Sequence, residues 1–269
     1  MKRFPFQPVI ILGAPRSGTN ILRDVLTHTD GLETWPCDEI NAIWRHGNQT
    51  WPNDQFPAQL ATSVVKKFIR GRFHRQWQRS GQPKFIVEKT CANMLRVPFV
   101  DAVLPEAKFI HILRNETDVV KSAKRRWQGE FEGQALPYLL AKLRYVPVSD
   151  LPYIGWRFIT RAIGKRDHYQ NWGPVPSDMP DTTDVAEKCQ AQWRSCVLAA
   201  STALQSIDEC RHCTIRYEAL VRDPYLVVKQ IFDFLDHPVS EREIYQAVKL
   251  IRRSDTVAMP DLLDLQEAA

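Results

Sequence analysis

The sequence predicts a three-layer α/β fold, a central parallel β-sheet with helices on both faces, and three observations predict it. Short apolar runs of strand length alternate with longer stretches of helical period. Several of these runs end in a loop carrying charged or hydroxyl side chains. The first such loop, Gly13-Ala14-Pro15-Arg16-Ser17-Gly18-Thr19-Asn20, has glycines five apart and leads directly into a helical pattern. Strand, glycine-bounded loop and helix together aim backbone N–H groups and a helix N-terminus at an anion.

The elements follow in order. Val9-Ile10-Ile11-Leu12 is the first strand, and residues 21–26 carry the helix after the loop. Residues 27–53, rich in Trp, Asp, Asn and Pro, read as loop and short helix. Residues 58–77 are helical, with Leu60, Val64, Val65, Phe68 and Ile69 on one face and basic side chains opposite. Gly81-Gln82-Pro83 ends that helix, and residues 84–88 form a buried strand leading to Lys89-Thr90. A short helix over 98–104 precedes the strand at 108–113, which places His111 in the core. Asn115 and the acidic residues after Arg114 suit the start of a helix running to Trp127.

Residues 128–183 break the rhythm with prolines and aromatics and read as an insertion or acceptor-side lid within a single domain spanning 1–269. Helical period returns over 184–207, a strand follows at 214–217, and Pro224 opens a helix to Leu235 at a position where proline is tolerated. The last helix covers 241–251. Strands alternating with helices imply right-handed crossovers and a parallel sheet covered on both faces.

Composition narrows the function. The chain has 269 residues, 25% of them charged, and a formal net charge of +5. That balance suits an anionic ligand and is too mild for a nucleic-acid-binding tail. No apolar stretch approaches the roughly 20 residues that span a bilayer, and no signal peptide is read, so a cytoplasmic protein with reduced thiols is expected. Cys210 and Cys213 form a C-x-x-C pair with no second pair at zinc spacing, so no metal site is expected.

The chemistry concentrates at strand ends, where open parallel sheets hold ligands. The glycine-bounded loop matches the phosphate-loop frame, yet Thr19 and Asn20 occupy the usual Lys-Ser/Thr places and the cation, Arg16, lies inside the loop. Lys89 follows a second strand. Arg114 ends a third, with Ser122 eight residues on and Arg126 four beyond that, the latter two sharing a helix face. An Arg fork, a hydroxyl and a second Arg suit a phosphate. Tyr217 leaves a fourth strand beside Arg216 and Glu218.

These segments resemble sulfotransferases that use 3′-phosphoadenosine 5′-phosphosulfate (PAPS). The resemblance rests on G-A-P-R-S-G-T-N at 13–20, E-K-T at 88–90, I-L-R-N-E-T-D-V-V-K-S at 112–122 and I-R-Y-E-A-L-V-R-D-P at 215–224. It is closest to the tyrosylprotein, Golgi-type glycan and bacterial branches and is patchy over 128–183. The resemblance implies that Pro15, Arg16, Ser17, Gly18, Thr19 and Asn20 hold the phosphosulfate end. Arg114, Ser122 and Arg126 would hold the 3′-phosphate, with Tyr217 and Ser254 as further cofactor contacts. Arg16 and Lys89 would stabilise charge during transfer. A catalytic carboxylate is implied in Cys37-Asp38-Glu39-Ile40-Asn41, either Glu39 or Asp38, although Asn41 stands where the family pattern has Arg. The implied reaction is metal-independent, in-line sulfuryl transfer to a hydroxyl of a glycan, tyrosine or small metabolite, leaving PAP, the 3′,5′-bisphosphate. Such a transfer needs positioning and charge stabilisation more than covalent help. Two alternatives stay open on the residues alone, a nucleoside-triphosphate kinase or NTPase on the same frame and a non-catalytic basic module for polyanions. Nucleic acid is not an expected partner, and the oligomeric state is open.

Overall fold

The structure, a computed structural model, describes residues 3–127, 146–151 and 173–251. Among these, five strands form one parallel sheet: β1 (Gln7–Leu12), β2 (Leu32–Thr34), β3 (Phe85–Lys89), β4 (Lys108–Leu113) and β5 (His212–Arg216), in the order β2-β3-β1-β4-β5. The glycine-bounded loop therefore leaves the central strand. Ile11 pairs with Lys89 on one side, and Leu12 pairs with His111 on the other.

The helices are α1 (Thr19–Leu26), α2 (Asn41–Trp44), α3 (Ser63–Arg79), α4 (Val97–Val103), α5 (Glu116–Trp127), α6 (Val185–Leu204), α7 (Tyr217–Arg222), α8 (Pro224–Leu235) and α9 (Glu241–Val248). Because strand side chains alternate between faces, the sheet feeds two cores. Ile10, Leu12, Ile86 and Phe109 pack on one side with side chains of α3, α4 and α6. Val9, Ile11, Phe85, Val87, Ile110 and Ile112 pack on the other with α1, α8 and α9. Strands buried on both faces read as continuous apolar runs, which is why the sequence revealed them.

The differences are local. β2 was read as loop, because its three residues Leu32–Thr34 are too short for a period and gain strand form only by pairing with β3. The helix expected over 58–77 is a 3₁₀ turn at Ala58–Leu60 and then α3, whose start is set by Thr62 accepting from the N–H of Val65. The β5 strand begins two residues before the expected start, at His212, and Tyr217 opens α7. His111 is buried in β4 as expected.

The chain passes from β1 to β2 and β3 on one side of the central strand, and to β4 and β5 on the other. Loops after β1 and β4 thus diverge, opening a crevice at the carboxyl edge between them. Most of the 128–183 insertion, and Ser254, lie outside the described residues. The described part at 173–177 is tied down by Asp54, which exchanges backbone and side-chain hydrogen bonds with Val175 at 2.8 and 3.0 Å.

Candidate active site

Local backbone shapes the loop first. Arg16 and Gly18 both take left-handed conformations, at φ 71° and 87°. Gly18 is needed for a second reason: a Cβ there would overlap the ring of Tyr217. The loop ends in α1, whose N-cap Gly18 offers no side-chain cap to the N–H groups of the first turn. Ser17 is buried, and its Oγ has no hydrogen-bond partner among the described residues.

The β4 end meets this loop. The Arg16 Nε donates to Ser122 Oγ on α5 at 3.0 Å, and Arg114 Nη1 donates to the Arg16 carbonyl at 2.9 Å. The Arg114 guanidinium lies 4.2 Å from the Tyr217 ring centre, and its buried Nε has no hydrogen-bond partner among the described residues. Tyr217 thus packs against both Gly18 and Arg114. Glu218 accepts from the Asn115 N–H at 2.8 Å, joining the start of α7 to the β4 loop. Arg126 lies on α5, but its side chain is outside the description.

The β3 end holds the other half. Lys89, 3% exposed, places Nζ 2.9 Å from Asp38 Oδ1 and 3.2 Å from Glu39 Oε1. Arg23 of α1, which sequence reasoning passed over, also reaches Asp38 Oδ1, at 3.0 Å. Burial opposes ionisation of Asp38, but Lys89 and Arg23 overcome it and hold its pKa below the ordinary value. Burial likewise opposes the Lys89 ammonium, yet Cys91, Glu39 and Asp38 outweigh it and raise the pKa. Glu39 Oε1 takes a further hydrogen bond from the Cys91 N–H at 3.2 Å. The sequence-predicted Lys89, Glu39 and Asp38 therefore come together in one cluster, while Arg16, Arg114 and Ser122 form a second.

Beneath the first cluster lies a buried polar chain that sequence reasoning did not assemble. Thr90 Oγ1 accepts from the Ile40 N–H at 3.2 Å and donates to Glu88 Oε1. Asn93 donates to Glu88 Oε2 at 2.8 Å and accepts from Arg96 Nε at 2.9 Å. Arg96, wholly buried, then donates to Asn41 Oδ1 at 2.6 Å. The one available signal was the polar Glu88-Lys89-Thr90 run at the end of an apolar strand.

Ser17 Oγ and Arg114 Nε, unpartnered among the described residues, together with the helix start and the Arg16–Ser122 pair suit an anion with two phosphate ends. The cluster of Lys89 with two carboxylates suits proton transfer beside a cation. Among the described residues no group of His, Cys, Asp and Glu is arranged to hold a metal, and no helix is long and apolar enough to cross a membrane.

Residues 8–136 match the model of the Sulfotransferase family. The fold is similar to the sulfotransferase domain from the curacin biosynthetic pathway, with 20% identity and a TM-score of 0.52 over 91% of this chain and 78% of that one. It is also similar to the sulfotransferase domain from the Synechococcus PCC 7002 olefin synthase, with 17% identity, a TM-score of 0.53 and coverage of 100% and 94%. A sulfotransferase from Alicyclobacillus acidocaldarius gives 16% identity, a TM-score of 0.52 and coverage of 98% and 91%. No curated protein matches the chain in sequence.

Proposed function

We propose, for a chain whose residues 8–136 match the Sulfotransferase family model, that it is a sulfotransferase whose donor is PAPS and whose acceptor is a hydroxyl group of a glycan, peptide tyrosine or small metabolite. The observation that carries this reading is the pairing of two clusters along one sheet edge, Lys89 with Glu39 after β3 and Arg16 with Ser122 above β1 and β4. PAPS would supply the activated sulfuryl group.

In this reading the loop N–H groups and Ser17 Oγ bind the 5′ end, and Arg114 and Ser122 bind the 3′-phosphate. Arg16 lies between them, with its carbonyl on Arg114 and its guanidinium on Ser122. Glu39 accepts the acceptor hydroxyl's proton as the new sulfur–oxygen bond forms. The bond from sulfur to the bridging phosphate oxygen breaks, the electron pair stays on PAP, and Lys89 meets the charge left there. General base catalysis of this kind contributes about 10²–10⁴-fold.

The geometry favours Glu39 over Asp38 for the proton. Asp38 is held between two cations, Lys89 and Arg23, which keep it ionised and weaken it as a base. Among the described residues the hydrogen bonds of Glu39 from Lys89 and the Cys91 N–H both fall on Oε1, which leaves its second oxygen for an acceptor hydroxyl. Calorimetry with PAP, and transfer from sulfur-35-labelled PAPS to a panel of alcohols and saccharides, test the proposal. Micromolar PAP binding with label transfer is expected. Absence of any 3′,5′-bisphosphate binding rules it out, and magnesium-dependent ATP binding in its place would favour a kinase.

A further inference from the structure

Glu88 is an unusual residue for the middle of a parallel sheet. It pairs in register with apolar Ile10 and is 1% exposed, so its carboxyl is held away from water. Each of its oxygens nevertheless has a donor. Oε1 takes the Thr90 hydroxyl, and Oε2 takes the Asn93 amide at 2.8 Å.

Both branches end on the segment that carries Glu39. Through Thr90, Glu88 reaches the N–H of Ile40, the residue after Glu39. Through Asn93 and Arg96, it reaches the side chain of Asn41, one residue further. The neighbours of Glu88 on its own segment reach Glu39 itself, Lys89 through Nζ and Cys91 through its N–H. Four consecutive residues after and including Glu88 thus converge on residues 39–41.

We infer that Glu88 is a positioning residue of the transfer reaction, setting the Glu39 carboxylate against Lys89 by holding Ile40 and Asn41 from below. This inference rests on the reading of Glu39 as the base. The polarity of the chain makes the charge of Glu88 necessary. An amide in its place turns a donor either toward Asn93 or toward the Thr90 oxygen. In the first case flipping Asn93 only moves the donor–donor clash to Arg96 Nε, and in the second the Thr90 hydrogen loses its acceptor. A carboxylate is the group that accepts from both branches at once.

Proton linkage follows from the surroundings. The charged groups that act on Glu88 are Arg96 from the segment after β3 and Glu39 from the loop before α2, with the Thr90 hydroxyl and the Trp44 indole as neutral neighbours. Burial, reinforced by Glu39 and opposed by Thr90, Trp44 and Arg96, pushes its pKa up to about 7. A protonated Glu88 would point its proton at the Thr90 oxygen and leave the Thr90 hydrogen without an acceptor, so the full chain exists only when Glu88 is ionised.

The test compares native protein, Glu88→Gln, the exchange Glu88→Gln with Asn93→Asp, and Asn41→Ala. The exchange keeps every bond of the chain with the roles of two groups swapped. Sulfate release from sulfur-35-labelled PAPS with water as acceptor gives the rate without a chosen alcohol, and calorimetry with PAP gives donor affinity. Glu88→Gln is expected to slow release about 10²-fold, the scale of a misplaced catalytic group, with native PAP affinity. The native protein is expected to show a rise in rate near pH 7, and Glu88→Gln is expected to lose it. The exchange should recover most of the rate. If Glu88→Gln does not fold, Asn41→Ala cuts the same chain at its outer end and should slow release with native PAP affinity. Native rates in folded Glu88→Gln or Asn41→Ala that bind PAP overturn this inference alone. A native protein that binds no PAP overturns the donor reading and this inference with it.

Discussion

The guanidinium of Arg16 is hydrogen-bonded to the hydroxyl of Ser122 at 3.0 Å, across 106 residues of chain. A loop leaving β1 and a helix following β4 are thereby joined. Arg114 completes the junction through the Arg16 carbonyl. If this junction holds the 3′-phosphate, Arg114→Ala should weaken PAP binding more than Ser122→Ala, because a guanidinium contributes paired, charge-assisted bonds. Hydrogen bonds to charged groups contribute about 1.5–3 kcal/mol each, so losses of roughly 10- to 100-fold are expected by calorimetry. Adenosine 5′-phosphate, lacking the 3′ group, should bind native and variant proteins alike.

The two carboxylates after β2 should separate by role. Glu39→Gln should lower kcat by about 10²–10⁴-fold with little change in PAP affinity. Asp38→Asn should act mainly on stability, because it removes an anion shared by Lys89 and Arg23. The sign follows from the lowered pKa of Asp38: its contribution is present above the unfolded value of about 4 and is lost as pH falls through the folded one. Chemical denaturation should therefore show native protein more stable than Asp38→Asn at pH 7, with the gap closing in acid.

Gly18→Ala should damage the loop and the fold together. The position has φ 87°, and the new methyl would overlap the Tyr217 ring. Left-handed backbone alone costs a non-glycine residue about 1–2 kcal/mol, and each kcal/mol shifts Tm by roughly 2–4 °C in a chain of this size. A drop of several degrees with loss of PAP binding is expected in scanning calorimetry. An unchanged Tm would mean that Tyr217 yields freely.

His111 should make the fold sensitive to mild acid. Burial, with a smaller effect of His212, lowers its pKa from 6.5 to about 4. The unfolded chain therefore binds a proton that the folded chain refuses, so stability falls between pH 6.5 and 4. For one such group the loss is on the order of 3 kcal/mol. His111→Leu should remove that part of the slope in denaturant titrations across this window, while other acid-sensitive groups keep theirs.

Much of the fold was legible because its evidence is local. β1, β3 and β4 are apolar runs flanked by breakers, and each is buried on both faces, so they stand out in the sequence as continuous apolar runs. β2 was not legible, since three residues hold no period and its strand form comes from pairing with β3. Arg23 was hidden for a similar reason. It lies on α1 among ordinary polar residues, and only folding brings Asp38 to its guanidinium. Glu88 was read as the end of a buried strand, but the donors that satisfy its carboxylate there could not be read, and Arg96, buried as well, was passed over.

The sequence by itself determined the strand–loop–helix frame at residues 13–20, the displaced arginine within it and the kinds of side chain at each strand end. Glycine geometry and apolar period act over a few residues, and such information is written where it acts. Only the tertiary structure decided that Lys89 meets Asp38 and Glu39, that Arg16 meets Ser122, and that Glu88 supports residues 40 and 41 from within. Those contacts join residues about 50 to 106 positions apart, and a parallel sheet creates them by gathering the carboxyl ends of distant strands along one edge.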